Sequence, residues 1–227
     1  MSAERASSTR TSTGPTVLVL AGGDPVDEHV LELLPPVAMV VAADSGLEQA
    51  ARLGLRVDLV VGDFDSVDPD ALAAAERAGA TTERYPAEKD HTDLELAVLA
   101  AQRLDAVRVV VVGGWGGRID HALANLLLLA APAYASLHLE AVGPNGRVVA
   151  VHDRVELVGA PGDLVTLLAV GGAAHGVTTR GLRYPLHGET LEPGATRGVS
   201  NVFLDTRATV ELTSGVILAL LPIGEVV

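Results

Sequence analysis

Four short acidic clusters hold most of the chemistry open to this chain: Ala42-Ala43-Asp44-Ser45-Gly46, Val61-Gly62-Asp63-Phe64-Asp65-Ser66, Lys89-Asp90-His91-Thr92-Asp93 and Gly117-Arg118-Ile119-Asp120-His121. Crowded carboxylates repel, and each raises the pKa of its neighbour unless a cation sits between them. Magnesium suits such a set, because it takes carboxylate oxygens together with waters and substrate phosphates. In Asp63-Phe64-Asp65 an extended backbone would send both carboxylates to one side and the Phe64 ring to the other. One aspartate on an acidic protein is ordinarily a solvated turn residue. Four clusters at element ends point instead to a shared site.

Two further stretches add to these acids. Gly113-Gly114-Trp115-Gly116-Gly117-Arg118 would let backbone N–H groups approach an anion, and a helix starting near Ile119 would add its positive end. Arg118 offers a forked set of donors for a phosphate. The run matches neither the dinucleotide fingerprint nor the Gly-Lys-Ser/Thr phosphate loop. His91 and His121 are read as hydrogen-bond partners of the acids rather than as ligands. In the second half, Tyr184 and the Ser200-Asn201 pair suit a flat heteroaromatic ligand by stacking and edge hydrogen bonds. They would serve equally well to cover a small β core.

Separate loops must be brought together for this to work, and the order of elements allows it. Residues 16–20, 37–42, 58–61 and 107–112 are short apolar runs that fit strands of a parallel sheet covered on both faces. Helical spacing covers 26–34, 46–53, 69–78, 92–104 and 120–131, with Ser45, Asp68 and Asp90 as expected starters. The first part is therefore expected to be an α/β, Rossmann-like domain with right-handed crossovers and ligands at the carboxyl ends of its strands. After about residue 146, short β-prone runs at 148–151, 155–158, 164–170, 176–179, 198–204, 208–212 and 216–221 alternate with turn signals such as Pro161-Gly162 and Pro193-Gly194. That spacing predicts a C-terminal β-sandwich. The expected division is a disordered tail over 1–14, a nucleotide- and magnesium-binding domain over 15–145, and a second domain over 146–227 that binds the acceptor and dimerises.

Composition narrows the partners. The net charge of −13 repels nucleic acid and anionic membranes. There are no cysteines, which excludes disulfides and thiolate chemistry. No apolar run reaches the roughly 20 residues needed to cross a bilayer. The Ser/Thr-rich start lacks the apolar centre of a secretion signal. A cytoplasmic protein is expected, with no nucleic-acid or membrane partner.

Taken in order, these motifs resemble the thiamine pyrophosphokinase family: Asp44-Ser45-Gly46, Gly62 to Ser66, Asp90 to Asp93, Gly113 to His121, residues 178–186, and Ser200-Asn201. The resemblance implies transfer of diphosphate from ATP to thiamine, with Mg2+ as cofactor and ATP as co-substrate, by a homodimer holding thiamine between its subunits. It implies that Asp44, Asp63, Asp65 and Asp93 hold the metal and the ATP phosphates. Catalysis is expected from these four, with an aspartate of the cluster, Asp93, taking the hydroxyl proton. Lys89, Asp90, Thr92, Gly117, Arg118 and Asp120 would serve the nucleotide, and Tyr184, Ser200 and Asn201 the thiamine. Members often carry tryptophan where this chain has Tyr184, which bears on the acceptor. Other readings of the residues are the same transfer to another heterocyclic alcohol such as a pterin, a magnesium-dependent phosphatase using Asp63, and a non-catalytic thiamine or nucleotide sensor.

Overall fold

The computed structural model describes residues 14–116 and 118–222. Of the expected tail, residues 1–13 lie outside the described residues, as do Gly117 and 223–227.

Apolar, β-branched runs form the centre of the fold because side chains on both faces of such strands can be buried. The strands β1 (Thr16–Leu20), β2 (Met39–Ala43), β3 (Leu59–Gly62), β4 (Thr81–Arg84), β5 (Arg108–Val112) and β6 (His138–Gly143) run parallel in the order β4-β3-β2-β1-β5-β6. Between them lie α1 (Gly46–Arg52), α2 (Pro69–Arg77), α3 (Asp93–Arg103) and α4 (Ile119–Leu129). The order reverses at β1 and β5, and the crevice beyond their carboxyl ends is where open α/β sheets take ligands.

The expected β half forms, but it shares its main sheet with the first half. β6 turns through a tight hairpin into β7 (Gly146–Val151), with Gly143 opposite Gly146. The sheet then continues antiparallel through β14 (Ile217–Pro222), β9 (Leu164–Ala169) and β12 (Asn201–Val202), giving ten strands. A second sheet, β11 (His187–Leu191), β10 (Ala174–Arg180), β13 (Arg207–Glu211) and β8 (Arg154–Val158), packs on this extension and encloses its own apolar core around Phe203, Val177 and Ile217. The α1–α2 layer covers a second core on the same face, and α3 and α4 cover the other.

Several expected elements are corrected. Residues 26–34 form only a 3-10 turn, Glu28–Leu33, because Leu34 precedes Pro35 and is held extended. Asp90 does not start α3: Thr92 caps it, its hydroxyl accepting from Glu95 N–H at 3.2 Å. Of the expected strand over 198–204 only Asn201–Val202 is a regular strand, with Phe203 in an isolated bridge to Leu182, and Ser200, at φ 56°, interrupts it on the N-terminal side. β4, β6 and β11 carry charged or histidine side chains that break the apolar pattern, so the sequence pattern did not mark them.

β6 shows why such a residue is tolerated. Glu140 is 1% exposed in a central strand, yet Arg108 of β5 donates to its Oε1 from Nε at 2.8 Å and Nη2 at 2.5 Å, and Arg147 of β7 donates to Oε2 at 2.6 Å. The carboxylate is fully paired across the join of the two halves. Glu140→Ala should leave both arginines without a partner and lower stability by about 3 kcal/mol, the low end for a broken buried pair, since both arginines keep some water contact. Urea denaturation checks this, and an unchanged midpoint would refute it.

Candidate active site

The strand ends determine what the acids can do. Asp44 follows β2 with φ 46°, and its N–H donates to Val61 O at 2.8 Å, so its side chain is turned toward the end of β3. Gly62 makes the approach possible: a Cβ there would lie 3.1 Å from Asp44 Cβ and 3.3 Å from Asp44 Oδ1. Asp63 and Asp65 follow on the next turn. The stretch is not extended as expected, for Phe64 has φ 64°, and Asp65 N–H donates to Asp63 Oδ1 at 3.2 Å. A bulky residue in this region is strained, and such strain collects at functional sites. The two carboxylates still converge. Asp44, Asp63 and Asp65 offer oxygens that all lie within 4.8 Å of one another.

Arg84, which the sequence reading missed, braces this turn. Its Nη1 donates to Asp63 O at 2.7 Å, and its guanidinium lies 4.6 Å from the Phe64 ring centroid. It comes from β4, a strand that sequence patterning also missed.

The environments of the acids differ. Asp44 is 8% exposed, and its shielded Oδ1 has no hydrogen-bond partner among the described residues. Burial pushes its pKa up, against a backbone hydrogen bond from Ser45, and the charges of Asp93, Asp63 and Asp65 push it further. Asp63 goes the other way, because Lys89 Nζ donates to its Oδ2 at 2.8 Å. Lys89 Nζ also lies 2.8 Å from Asp93 Oδ1, so the one ammonium is paired with both carboxylates. Burial pulls the lysine down, but the two aspartates together hold it above its ordinary value.

Asp44, Asp63, Asp65 and Asp93 line a cavity of about 570 Å³ at the β1/β5 switch, whereas Lys89, which pairs with two of them, is not on its wall. Its walls include Gly22 and Gly23 after β1, Asp44 and Ser45, Asp63, Asp65 and Ser66, Thr92 and Asp93, Gly114 and Gly116, and Arg118, His121 and Asn125. The glycine loop is zipped to the loop after β1: Gly114 N–H donates to Gly22 O at 2.6 Å and Asp24 N–H to Trp115 O at 3.0 Å. The N–H of Gly114 is therefore committed to protein. Gly116 has φ 77°, a left-handed conformation that favours glycine, and a Cβ there would sit 1.8 Å from Asp24 Oδ2, so a larger residue is strained and displaces the Asp24 side chain. Asn125 of α4 holds the loop from the other side, donating to Gly114 O at 3.0 Å. Neither the Gly22–Asp24 loop nor Asn125 stood out in the sequence. The double glycine closing the first apolar run was the signal available for the loop.

Of the expected nucleotide residues, Thr92 and Arg118 line the cavity, and Gly117 lies outside the described residues. Arg118 Nη2 donates to Asp120 Oδ2 at 2.6 Å, which lowers the Asp120 pKa to about 2. Asp120 and the exposed Asp90 do not line the cavity. His121 does, whereas His91 pairs with Glu95 at 3.2 Å. Tyr184 and Ser200-Asn201 lie in the β-rich half, joined by the Asn201–Tyr184 hydrogen bonds, and none of them lines this cavity. Asn201, 4% exposed, uses its amide on the backbone of Tyr184: Oδ1 accepts from Tyr184 N–H at 3.0 Å and Nδ2 donates to Tyr184 O at 2.7 Å. The Tyr184 ring, 54% exposed, is thereby held facing solvent.

Comparison with known proteins places these features. Residues 30–140 match the family model described as thiamin pyrophosphokinase, catalytic domain, and residues 154–217 match thiamin pyrophosphokinase, vitamin B1 binding domain. The chain is similar to thiamine pyrophosphokinase of Bacillus subtilis, 25% identical over 222 residues that cover 89% of this chain and 96% of the relative. It is also similar to thiamine pyrophosphokinase 3 of rice, 24% identical over 72% of this chain and 64% of that longer protein. The crystal structure of the Bacillus subtilis protein superposes with a TM-score of 0.80 at 21% identity, covering 92% of this chain and all of that one. Thiamin pyrophosphokinase from Candida albicans gives 0.77 at 17% identity, covering 93% and 90%.

Asp44 offers a test of the electrostatics. An acid whose folded pKa is raised stabilises the fold only below its ordinary value, and that contribution is lost as the pH climbs through the raised one. Asp44→Asn should therefore make the metal-free protein more stable at neutral pH, by about 1 kcal/mol, and flatten its stability over that window. Urea titrations in EDTA at several pH values check this; a variant weaker than the parent at neutral pH would count against it.

Proposed function

The chain belongs to the thiamin pyrophosphokinase family, its two parts matching that family's catalytic and vitamin B1 binding domains, and on that premise we propose how its residues transfer diphosphate from ATP to the hydroxyl of thiamine. The observation that carries the reading is the trio of carboxylates with one shielded oxygen left unpaired, in the cavity at the switch of the sheet.

Asp44, Asp63 and Asp65 would hold Mg2+. Their oxygen-only donor set and the unpaired Asp44 Oδ1 fit that ion. When bound, it would neutralise charge on the phosphate oxygens. In the transfer, the thiamine hydroxyl oxygen bonds to the β-phosphorus of ATP, and the bond from that phosphorus to the oxygen bridging to the α-phosphorus breaks. The electron pair leaves with AMP. The hydroxyl proton passes to Asp93, a carboxylate on the cavity wall. Lys89 and Arg118 supply positive charge to the phosphates, and Thr92 fixes the start of α3 beside them. Positioning and charge neutralisation are the main sources of rate in such transfers.

The same reading assigns thiamine to Tyr184 and Ser200, with Asn201 as the clamp that presents the ring. The division into a nucleotide domain over 15–145 and a thiamine domain over 146–227 is supported by the separate cavity and tyrosine sites. A homodimer is part of the proposal, because one chain holds the two sites apart. Exposed Ile119, Leu123 and Leu127, spaced by four along α4 beside the cavity, support a partner there. The phosphatase and sensor readings are not favoured, since both family models describe a pyrophosphokinase. Among the described residues no helix is long and apolar enough to cross a membrane, and this, with the absence of cysteine, supports a cytoplasmic setting.

Asp65→Asn should retain the wild-type fold by circular dichroism while AMP and thiamine diphosphate formation from ATP and thiamine falls by at least roughly 100-fold. Near-normal product by mass spectrometry would remove the metal role. Tyr184→Ala should raise KM for thiamine far more than for ATP. If each thiamine site serves the partner's cavity, co-expressing Asp65→Asn with a chain inactive at Ser200 should restore about a quarter of wild-type activity, the share expected for random C2 pairing. No recovery from purified mixed dimers would refute the shared site.

A further inference from the structure

Lys89 is the single lysine of the chain, and it lies between two carboxylates of the candidate site. Its Nζ is 2.8 Å from both Asp63 Oδ2 and Asp93 Oδ1, and its side chain is only 12% exposed. Asp63 belongs at the same time to the trio that converges within 4.8 Å. One carboxylate therefore faces two claims on its charge. A divalent ion among Asp44, Asp63 and Asp65 would stand close to the ammonium, and like charges at such range repel strongly in a partly buried site.

The lysine is free to respond to that repulsion. Residues 85–92 lie outside the regular elements, so its stem can swing without breaking a helix or a strand ladder. An ammonium is a compact charge on a flexible four-carbon chain, with no planar fork to hold it to one carboxylate. The aspartates, by contrast, are fixed: Asp63 by Arg84 and the Asp65 N–H, Asp93 by its place at the first turn of α3. Of the groups in contact here, the lysine is the one able to move.

We propose that Lys89 is the built-in counter-ion of the unloaded site. It keeps Asp63 and Asp93 in place while no metal is bound, and it is released from Asp63 toward a phosphate oxygen when metal and nucleotide enter. The role rests on the metal and nucleotide reading above and extends it: a residue that only binds phosphate would not compete with the metal. Lys89 is a positioning residue in the empty site and a phosphate contact in the filled one.

Because no other lysine exists, amine modification reports on Lys89 and the N-terminus alone, and peptide masses separate the two. Reductive methylation of the wild-type protein would be followed without metal, with MgCl2, and with MgCl2 plus a non-hydrolysable ATP analogue. Magnesium alone should speed modification of Lys89 by roughly threefold, the scale of one partly exposed ion pair, and the analogue should slow it again. By calorimetry, Lys89→Met should bind Mg2+ about tenfold more tightly than wild type without nucleotide, because a competing charge has gone, and should bind the analogue more weakly, because a phosphate contact has gone. Magnesium binding that leaves Lys89 labelling unchanged, or a weaker metal affinity in Lys89→Met, overturns the counter-ion role and leaves the enzyme reading standing. Failure of the wild type to bind Mg2+ with or without the analogue overturns both.

Discussion

Mutual repulsion among carboxylates held at neighbouring strand tips is the constraint around which the rest of this structure is arranged. The parallel pairing of β2 with β3 fixes where Asp44 and Asp63 emerge, and the absence of a side chain at Gly62 lets them close to contact range. The backbone accepts left-handed conformations at Asp44 and Phe64 to complete the group. Asp44 is relieved only in part, by the Ser45 backbone, and its shielded Oδ1 has no donor among the described residues. Within the trio Asp63 is paired with a cation, Lys89, which it shares with Asp93. A site left short of positive charge in this way is consistent with the proposed metal and phosphate binding, at a cost in stability when empty.

Rigid support surrounds the strained part. Arg84 grips the Asp63 carbonyl and covers Phe64, Thr92 caps α3, and the loops after β1 and β5 are bonded to each other. Such a second layer of contacts is what holds reacting groups to the small tolerances that phosphoryl transfer needs. The exposed Tyr184 ring is supported in the same way, with the two hydrogen bonds from Asn201 fixing its backbone.

The continuous ten-stranded sheet explains how two different sites keep a fixed relation. A hinge between halves would let the cavity and the tyrosine platform drift. Instead β6 and β7 are hydrogen-bonded neighbours, and Glu140 draws Arg108 and Arg147 together across that join. A buried ion group adds little net stability compared with apolar packing, but it matches only one register.

By itself the sequence determined the α/β-then-β order, the placement of most strands and helices, and the identity of the acids. Those follow from local periodicity and from residue types that have few other uses at strand ends. It could not show that Asp44 and Gly62 touch, because that contact depends on the pairing of two strands distant in the chain. Arg84 and Asn125 stayed hidden because an arginine on an edge strand and an asparagine within a helix look like ordinary surface. The tertiary structure decided which aspartates form the trio and which two pair with Lys89. It also decided that Asn201 serves Tyr184 rather than solvent, and that both halves share one sheet. Each of these is a long-range contact, made only once strand order and register bring the residues together.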